Sequence, residues 1–331
     1  MDDKIYAVPT MKDSAKAHYF VWQPSVVEAT GIDVTNLHTM ESIEPVLVKM
    51  KENGINAPFT MRNIGSTFFL DVYDYMALGN NLIGVRYDDA ERKVVSVMEQ
   101  PEIQDTLRLY HKWYKEGLIN QDAATLAELP QNLPFFLGQG WPNAWKIHEE
   151  LGTSVLFLGP IFSNDSALGS ANAVYAGTKY PEQSVKFLEL VNTDTKLRDM
   201  LCYGEEGVNF EYKDGMVVIN TDAPWGWPRY TQGNHAILTP TVDDPDFLKN
   251  MTSINETATD SVMLGFTVDR SNLEDQLTYL GTIAGKYQSE LFTGTTDPDV
   301  LIPQMMEELR AGGLEEVIAE VQGQIDAHFA K

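Results

Sequence analysis

Apolar residues recur at helical spacing along much of the chain. Ile43, Val46, Leu47 and Met50 stand at positions i, i+3, i+4 and i+7, which predicts an amphipathic helix, and Gly54 suits its C-terminal end. The same pattern predicts helices that begin after Pro101, at Pro181, at Asp194, at Pro298 and at Leu314. The apolar positions of these helices include Ile103, Leu107, Tyr110 and Tyr114, then Val185, Leu188 and Val191, then Leu197, Met200 and Leu201, and finally Leu314, Val317, Ile318, Val321 and Ile325.

Short apolar segments bounded by turn residues predict strands. These segments are residues 4–8, 82–87, 93–98, 154–158 and 216–219, and a polar turn makes the second and third of them a hairpin. Helices that separate isolated strands are typical of an α/β fold. A chain of 331 residues is long enough for two lobes or domains.

Charge and cysteine content exclude several classes of partner and site. The chain has 24 Lys and Arg against 48 Asp and Glu, a formal charge of −24, so nucleic acid and anionic membrane surfaces are unfavourable partners. No stretch approaches the roughly 18 apolar residues of a membrane-spanning helix. Cys202 is the only cysteine, which excludes an internal disulfide and a thiolate metal cluster.

No catalytic motif is present in the sequence. It contains no Gly-rich phosphate loop, no G-x-S-x-G elbow, no H-E-x-x-H helix and no EF-hand spacing, and its six histidines are scattered. We therefore predict no metal site, no cofactor and no assignable catalytic residue. Pairs of acids such as Glu205-Glu206 leave open a hydrolase that acts on glycans with two carboxylates.

Aromatic residues stand among glycine, proline and amide residues in two segments, 138–145 and 224–234. Sugar rings bind to this combination because their C–H faces lie on aromatic rings while their hydroxyls bond planar polar groups. Structural packing is the other interpretation, which we favour for Trp22, Trp113 and Trp145 because each lies in a helical or mixed context. For Trp141, Trp225 and Trp227 both interpretations stay open, since loops carry many binding residues.

Several segments resemble, in order and spacing, the carbohydrate-type family of extracellular solute-binding proteins of ABC importers. These segments are residues 4–9, 138–145, 154–160 and 170–204. Residues 201–209, 225–234 and 265–324 resemble a lipoprotein-type subgroup with its own C-terminal region. The resemblance covers nearly the whole chain.

The resemblance implies a two-lobed α/β fold of the periplasmic-binding-protein type II class, in which the ligand is enclosed by the lobes. Residues 1–10 then form the first hinge crossover, residues 11–168 and 237–331 a complete α/β lobe, and residues 169–236 a remnant of the other lobe. In the family most of one lobe precedes the first crossover. We therefore expect this lobe to be incomplete by on the order of 100 residues, and the leader that carries a lipid anchor to be absent.

The function implied by the resemblance is that of a receptor, which is not an enzyme. It binds a carbohydrate outside the cell, where the full-length protein is lipid-anchored to the surface, and delivers it to the permease subunits of the importer. The glycan hydrolase is the alternative, while a structural or adhesive protein would show repeats or a large apolar face. The candidate ligand-binding residues are Trp141, Asn143, Glu206, Trp225, Trp227, Arg229, Tyr230, Gln232 and Asn234. Among them we expect Trp141 to present an exposed ring and Arg229 to donate to vicinal hydroxyls.

Overall fold

The computed structural model describes residues 5–147, 150–226 and 232–330. The helices are α1 (Pro24–Thr30), α2 (Glu44–Glu52), α3 (Pro101–Lys115), α4 (Asn164–Leu168), α5 (Pro181–Thr193), α6 (Thr195–Tyr203), α7 (Phe247–Glu256), α8 (Glu274–Thr293), α9 (Pro298–Ala311) and α10 (Leu314–Phe329). The strands are β1 (Val8–Pro9), β2 (Lys16–Trp22), β3 (Tyr73–Asp74), β4 (Ile83–Arg86), β5 (Val95–Ser96), β6 (Phe135–Gln139), β7 (Lys146–Ile147), β8 (Glu150–Leu151), β9 (Thr153–Phe162), β10 (Ala171–Asn172), β11 (Phe210–Lys213), β12 (Met216–Ile219) and β13 (Thr259–Asp260).

The chain forms two compact units and passes three times from one to the other. Unit 1 comprises Met1–Ser14 and Ser166–Thr257, and unit 2 comprises Ala15–Asp165 and Ala258–Lys331. Each unit contains helices and strands, so the α/β character predicted from the sequence is found in both. The assignment of the two units to the lobes of a receptor stays a prediction.

Unit 2 is built on a four-stranded sheet in the order β13-β9-β2-β6. Strand β2 pairs antiparallel with both neighbours, so that Phe20 lies opposite Leu137 on β6 and Val155 on β9. All residues of β2 after Lys16 are buried, which explains its apolar sequence on both faces. The predicted hairpin is confirmed: β4 and β5 pair antiparallel, with Ile83 opposite Ser96, in a second sheet with β3.

The helices predicted in unit 2 are confirmed, and in one of them, α3, the last buried residue differs from the predicted one. Helix α3 begins at Pro101, and the missing N–H of proline costs nothing there because the first N–H groups of a helix have no acceptor within it. The helix buries Ile103, Leu107 and Tyr110 as expected. Its last fully buried residue is Trp113 rather than Tyr114, which is partly exposed. Trp113 donates from Nε1 to Oε2 of Glu44 at 2.9 Å, so its packing role is supported by a polar contact.

The C-terminal helices complete the core of unit 2. Of the 50 buried residues in its hydrophobic cluster, 18 lie between Met263 and Ile325. Arg310 of α9 pairs with Glu99, and Gln322 of α10 accepts from the backbone N–H of Val94 at 2.8 Å. The region therefore packs as part of unit 2. None of the helices in the described ranges is long and apolar enough to cross a membrane.

Unit 1 leaves much of its apolar helical surface exposed. Helix α5 begins at Pro181 as predicted but buries only Val191, while Val185 and Phe187 are exposed. Its strands form the antiparallel pairs β1–β10 and β11–β12. Such exposed faces are what the predicted incomplete lobe would leave uncovered, and the incompleteness itself stays a prediction.

Helix α6 buries a face different from the predicted one. Asp194 caps it as expected, accepting from the backbone N–H of Leu197 at 3.0 Å. The prediction that Met200 points inward is wrong, because Met200 is exposed and the adjacent residues Arg198 and Asp199 are fully buried. The reason is a set of long-range hydrogen bonds that apolar spacing cannot reveal.

These bonds also hold residues 237–240 in unit 1, whereas the prediction groups residues 237–331 with residues 11–168 in one complete lobe. The carboxylate of Asp199 accepts from the N–H of Thr239 at 2.9 Å, from its Oγ1 at 2.5 Å and from the Tyr212 hydroxyl at 2.8 Å. The Tyr203 hydroxyl donates to the Thr239 carbonyl at 2.9 Å. The chain returns to unit 2 only after Thr257.

An ion pair in unit 2 leads to a prediction about acid stability. The carboxylate of Asp71 lies 2.9 Å from Lys16 Nζ and 2.8 Å from His18 Nε2. Burial opposes ionisation of Asp71, but the His18 hydrogen bond and the Lys16 charge outweigh it and hold the pKa below its ordinary value.

The stability that ionised Asp71 contributes is therefore fully present above the ordinary aspartate pKa of about 3.9 and is lost as the pH falls through the lowered folded value. We expect Asp71→Asn to be less stable than wild type near neutral pH, and this difference in the free energy of unfolding to shrink as the pH falls through the lowered folded value. Urea denaturation at several pH values measures it. A difference that stays constant with pH contradicts the prediction, and Asp214→Asn in an exposed turn is the control.

Candidate functional site

The predicted site residues fall in both units, and the two groups are described separately. Trp141 and Asn143 follow strand β6 in unit 2. Glu206, Trp225, Gln232 and Asn234 lie in unit 1. The predicted residues Trp227, Arg229 and Tyr230 lie outside the described residues.

In unit 2 the loop after β6 folds back over its own sheet. The Trp145 ring lies on Gly138, where an added Cβ would meet the ring at 2.8 Å, so this position requires glycine. The Tyr19 ring lies 5.7 Å from the Trp145 ring. Asn143 has a φ of +63° at the tip of the turn and is exposed, so its amide is accessible.

Of the two tryptophans in this loop, Trp141 departs from its prediction, whereas Trp145 packs on Gly138 and Tyr19 as predicted. Trp141, expected to present its ring, is only 7% exposed, whereas Trp145, expected to be packing, is half-buried. The expectation of an exposed Trp141 ring is therefore wrong in this structure, because the turn from Trp141 to Ala144, closed by a 3.2 Å backbone bond, turns the first ring inward. A binding role for Trp141 stays a prediction.

Sequence reasoning missed Tyr19 as a candidate. Its hydroxyl has no hydrogen-bond partner within residues 5–147, 150–226 and 232–330, and burial raises its pKa to about 12. Tyr19 is only 4% exposed, so its hydroxyl is a neutral, buried group beside the Trp145 ring. No signal could have found it, since Tyr19 lies in an apolar strand where a core residue is the ordinary interpretation.

In unit 1 the Trp225 ring is held by its own donor and remains 51% exposed. Its Nε1 donates to the carbonyl of Leu201 at 2.9 Å, which fixes the ring without covering it. An aromatic ring that is both fixed and open is what stacking on a sugar needs. Glu206 is exposed, 3.8 Å from Lys196, and available to a ligand hydroxyl.

Gln232 and Asn234 play different parts in unit 1. Gln232 lines a cleft of about 510 Å³ together with Asn172, Tyr175 and Phe187. Asn234 is used by the fold, because its Oδ1 accepts from Ala236 N at 2.9 Å and its Nδ2 lies 3.4 Å from the Asn192 carbonyl. A ligand role for Asn234 would therefore compete with its structural bonds.

A second cleft, of about 340 Å³, lies within unit 2 and is lined in part by acidic residues. Glu102 and Arg86 line it together with His38 and Asp105. Glu102 accepts from the Tyr73 hydroxyl at 2.7 Å and lies 3.2 Å from Arg86 Nη1. Burial alone would raise the pKa of Glu102, but Tyr73 and Arg86 outweigh it and hold the pKa low, which is the opposite of what a general acid requires.

No group of three His, Cys, Asp or Glu side chains that could hold a metal ion occurs in the part of the chain that the structure describes.

Solved structures define the class of the fold. The chain matches the N-glycan transport solute binding protein NgtS from Streptococcus pneumoniae in complex with Man1GlcNAc, with a TM-score of 0.88 and 25% identity over 100% of this chain and 78% of that one. The match to NgtS in complex with Man5GlcNAc has a TM-score of 0.83 and 26% identity, over 98% of this chain and 75% of the other. The chain has the type II periplasmic-binding fold of solute-binding proteins, as predicted.

Sequence comparison gives the particular relatives. The chain is 29% identical, over 354 aligned positions, to a carbohydrate ABC transporter substrate-binding protein of Streptococcus pneumoniae serotype 4, covering 98% of this chain and 70% of the relative. A family model described as a domain of unknown function, DUF3502, matches residues 262–330. The predicted resemblance to carbohydrate-type solute-binding proteins of ABC importers is confirmed, and the similarities support the receptor rather than the hydrolase.

Proposed function

We propose that the protein is the solute-binding component of an ABC importer that binds an oligosaccharide outside the cell and delivers it unchanged to permease subunits. The observation that carries the proposal is the extent of the similarity: the fold match to a sugar-binding receptor covers the whole chain and both units. The similar proteins bind Man1GlcNAc and Man5GlcNAc. The ligand class we propose is therefore an oligosaccharide that contains mannose and N-acetylglucosamine.

The chemistry of the clefts supports a receptor over an enzyme. A glycan hydrolase needs one protonated and one ionised carboxyl group beside the scissile bond. Glu102 has a lowered pKa and is bonded to Tyr73 and Arg86. Burial raises the pKa of Asp165, but its Oδ2 accepts from the backbone N–H of Tyr75 at 3.0 Å, which is a structural contact.

The surroundings we propose for the receptor follow from the lipoprotein-type resemblance. The protein acts at the outer surface of the cell, where a lipid anchor holds the full-length form, and its partners are the sugar and the permease of the importer.

Calorimetric titration with Man1GlcNAc and Man5GlcNAc tests the proposal. Stoichiometric binding, with each glycan recovered intact after long incubation, is the expected result. Absence of binding to both glycans, or the appearance of shorter glycans, contradicts it.

The same titration tests Trp225 as a stacking residue. We expect Trp225→Ala to cost about 1–3 kcal/mol of binding, roughly a 5- to 150-fold rise in Kd, because it removes a fixed ring from a sugar face. The melting temperature should change little, since the ring is 51% exposed. Tyr180→Ala is the matched control, because Tyr180 is a 65% exposed aromatic residue of the same unit outside the proposed site. An equal effect of the two changes rejects the role of Trp225.

A further inference from the structure

One short segment of unit 2 is bonded to the chain beside two of the three passages between the units, and is linked through Asn164 to the chain that follows the third. We define the anchor segment as residues 68–76, which comprise the 3-10 helix Phe68–Val72, strand β3 and the next two residues. The chain passes between the units after Ser14, after Asp165 and after Thr257. Residues next to the first two passages, namely Lys16, Asn164 and Asp165, are bonded to this segment. Asn164 is bonded in turn to Met263 and Gly265, which follow the third passage by six and eight residues.

An ion pair holds the chain that follows the first passage. Lys16, two residues after Ser14, and His18 both contact the carboxylate of Asp71, at 2.9 Å and 2.8 Å. Only 18% of the Asp71 side chain is exposed. Since an ion pair shielded from water is weakened little by salt, this contact holds the start of β2 against the anchor segment.

Two aspartate carboxylates hold the chain that precedes the second passage. Asp74 is fully buried, and its Oδ2 accepts from the backbone N–H of Asn164 at 3.0 Å and from its Nδ2 at 3.1 Å. Asp165, the last residue of unit 2 before the passage, accepts from the N–H of Tyr75 at 3.0 Å.

The third passage is tied through the same asparagine. Asn164 Nδ2 also donates to the carbonyl of Met263 at 2.6 Å, and its Oδ1 accepts from the N–H of Gly265 at 2.8 Å. The carbonyl of Met76 accepts from the N–H of Val268 at 3.2 Å. Asn164 is only 3% exposed, and both of its side-chain polar atoms are used by these structural bonds.

The backbone of the segment indicates that its position is imposed by these contacts. Met76 has a φ of +52° and is followed by Ala77 with a φ of +63°. Non-glycine residues keep such conformations only where the surroundings fix them, and they concentrate at functional sites. The N–H of Met76 donates to Oδ1 of Asp74 at 2.9 Å. The buried carboxylate of Asp74 therefore binds both the strained turn and Asn164.

We propose that Asp71, Asp74 and Asn164 are positioning residues that fix the unit 2 ends of the three connecting segments, and thereby set how readily the ligand-free receptor closes. The inference rests on the proposed function and on the enclosure of the ligand by two lobes, which the family resemblance implies. When the connecting segments are less restrained, the ligand-free receptor samples more open conformations, and closure then costs more conformational entropy. The affinity for the sugar therefore falls although no sugar contact is lost.

The test is titration with Man5GlcNAc, combined with small-angle scattering, on wild type, Asn164→Ala and a matched control. The control is Ile103→Val, a fully buried change on α3 that lowers stability but leaves the hydrogen bonds and the ion pair of the anchor segment in place. We expect Asn164→Ala to raise Kd by roughly two- to thirtyfold and to reduce the ligand-induced compaction, the range seen for residues that couple distant sites. Ile103→Val should lower the melting temperature and leave Kd at the wild-type value.

Asp71→Asn is the second variant, because it keeps the shape of the side chain and removes only the charge that holds Lys16. It should also raise Kd. If both variants bind and compact as Ile103→Val does, the proposal is overturned. If wild type itself binds neither Man5GlcNAc nor Man1GlcNAc, the proposed function fails and this inference with it, a result distinct from wild-type binding that the variants leave unchanged.

Discussion

Removal of residues 262–330 is expected to abolish the folding of unit 2. The region supplies 18 of the 50 buried residues in the hydrophobic cluster of that unit. Each fully buried large apolar side chain contributes roughly 1.5–3 kcal/mol, whereas a whole domain is stable by only about 5–15 kcal/mol. The cooperative thermal transition of unit 2 should therefore disappear in calorimetry, and near-ultraviolet circular dichroism should lose the signal of its buried tryptophans.

The control is a shorter truncation that ends the chain at Asp326 and so removes the end of α10, where residues 327–330 are exposed. It should melt close to wild type, with a small loss from the contact between Arg92 and Phe329, whose ring centroid lies 4.1 Å from the guanidinium carbon. A deletion of residues 262–330 that still unfolds cooperatively, with native near-ultraviolet signals, would show an independent module. The family model that covers this region would then describe a separate domain.

Asp199→Ala is expected to lower the free energy of unfolding of unit 1 by about 3–5 kcal/mol. The change removes the fully buried acceptor of the N–H and Oγ1 of Thr239 and of the Tyr212 hydroxyl. Tyr212 is 39% exposed and can turn to water, so the cost falls mainly on the two half-buried groups of Thr239. Each unsatisfied buried group costs about 1–3 kcal/mol, so the sum is large even after partial relaxation. Urea denaturation followed by tyrosine and tryptophan fluorescence measures it.

Asp194→Ala is the comparison for this prediction, since Asp194 caps the same helix from an exposed position. Loss of an N-cap costs about 1 kcal/mol. Equal effects of the two changes would mean that the Asp199 carboxylate reaches water and that residues 237–240 are held by other contacts.

Of these two acids, the role of Asp194 could be predicted from the sequence and that of Asp199 could not. Asp194 could be assigned as a cap because the N-cap bond runs three residues along one helix. Asp199 could not be assigned, because its partner Thr239 lies 40 residues away. The prediction therefore placed the exposed Met200 inward and did not assign Asp199 to the buried face. Apolar spacing finds the buried face only where burial is apolar.

The tryptophans show the same limit at the candidate site. Trp22 and Trp113 were expected in the core, and both are fully buried. Trp141 and Trp145 stand four residues apart in one glycine-rich loop, and the sequence could not decide which ring faces inward. That choice depends on how the turn closes over Gly138, which requires the neighbouring strand.

By itself, the sequence determined the α/β class, the starts of the helices at Pro101, Pro181 and Pro298, the hairpin of β4 and β5, and the resemblance to a sugar receptor. These features depend on local geometry, such as the fixed φ of proline and the period of apolar residues, or on the order of motifs along the chain. Only the tertiary structure decided the partners of β2, the buried face of α6, the unit that holds residues 237–257 and the contacts of the anchor segment. Each of these depends on hydrogen bonds or packing between residues far apart in the chain, which no local pattern contains.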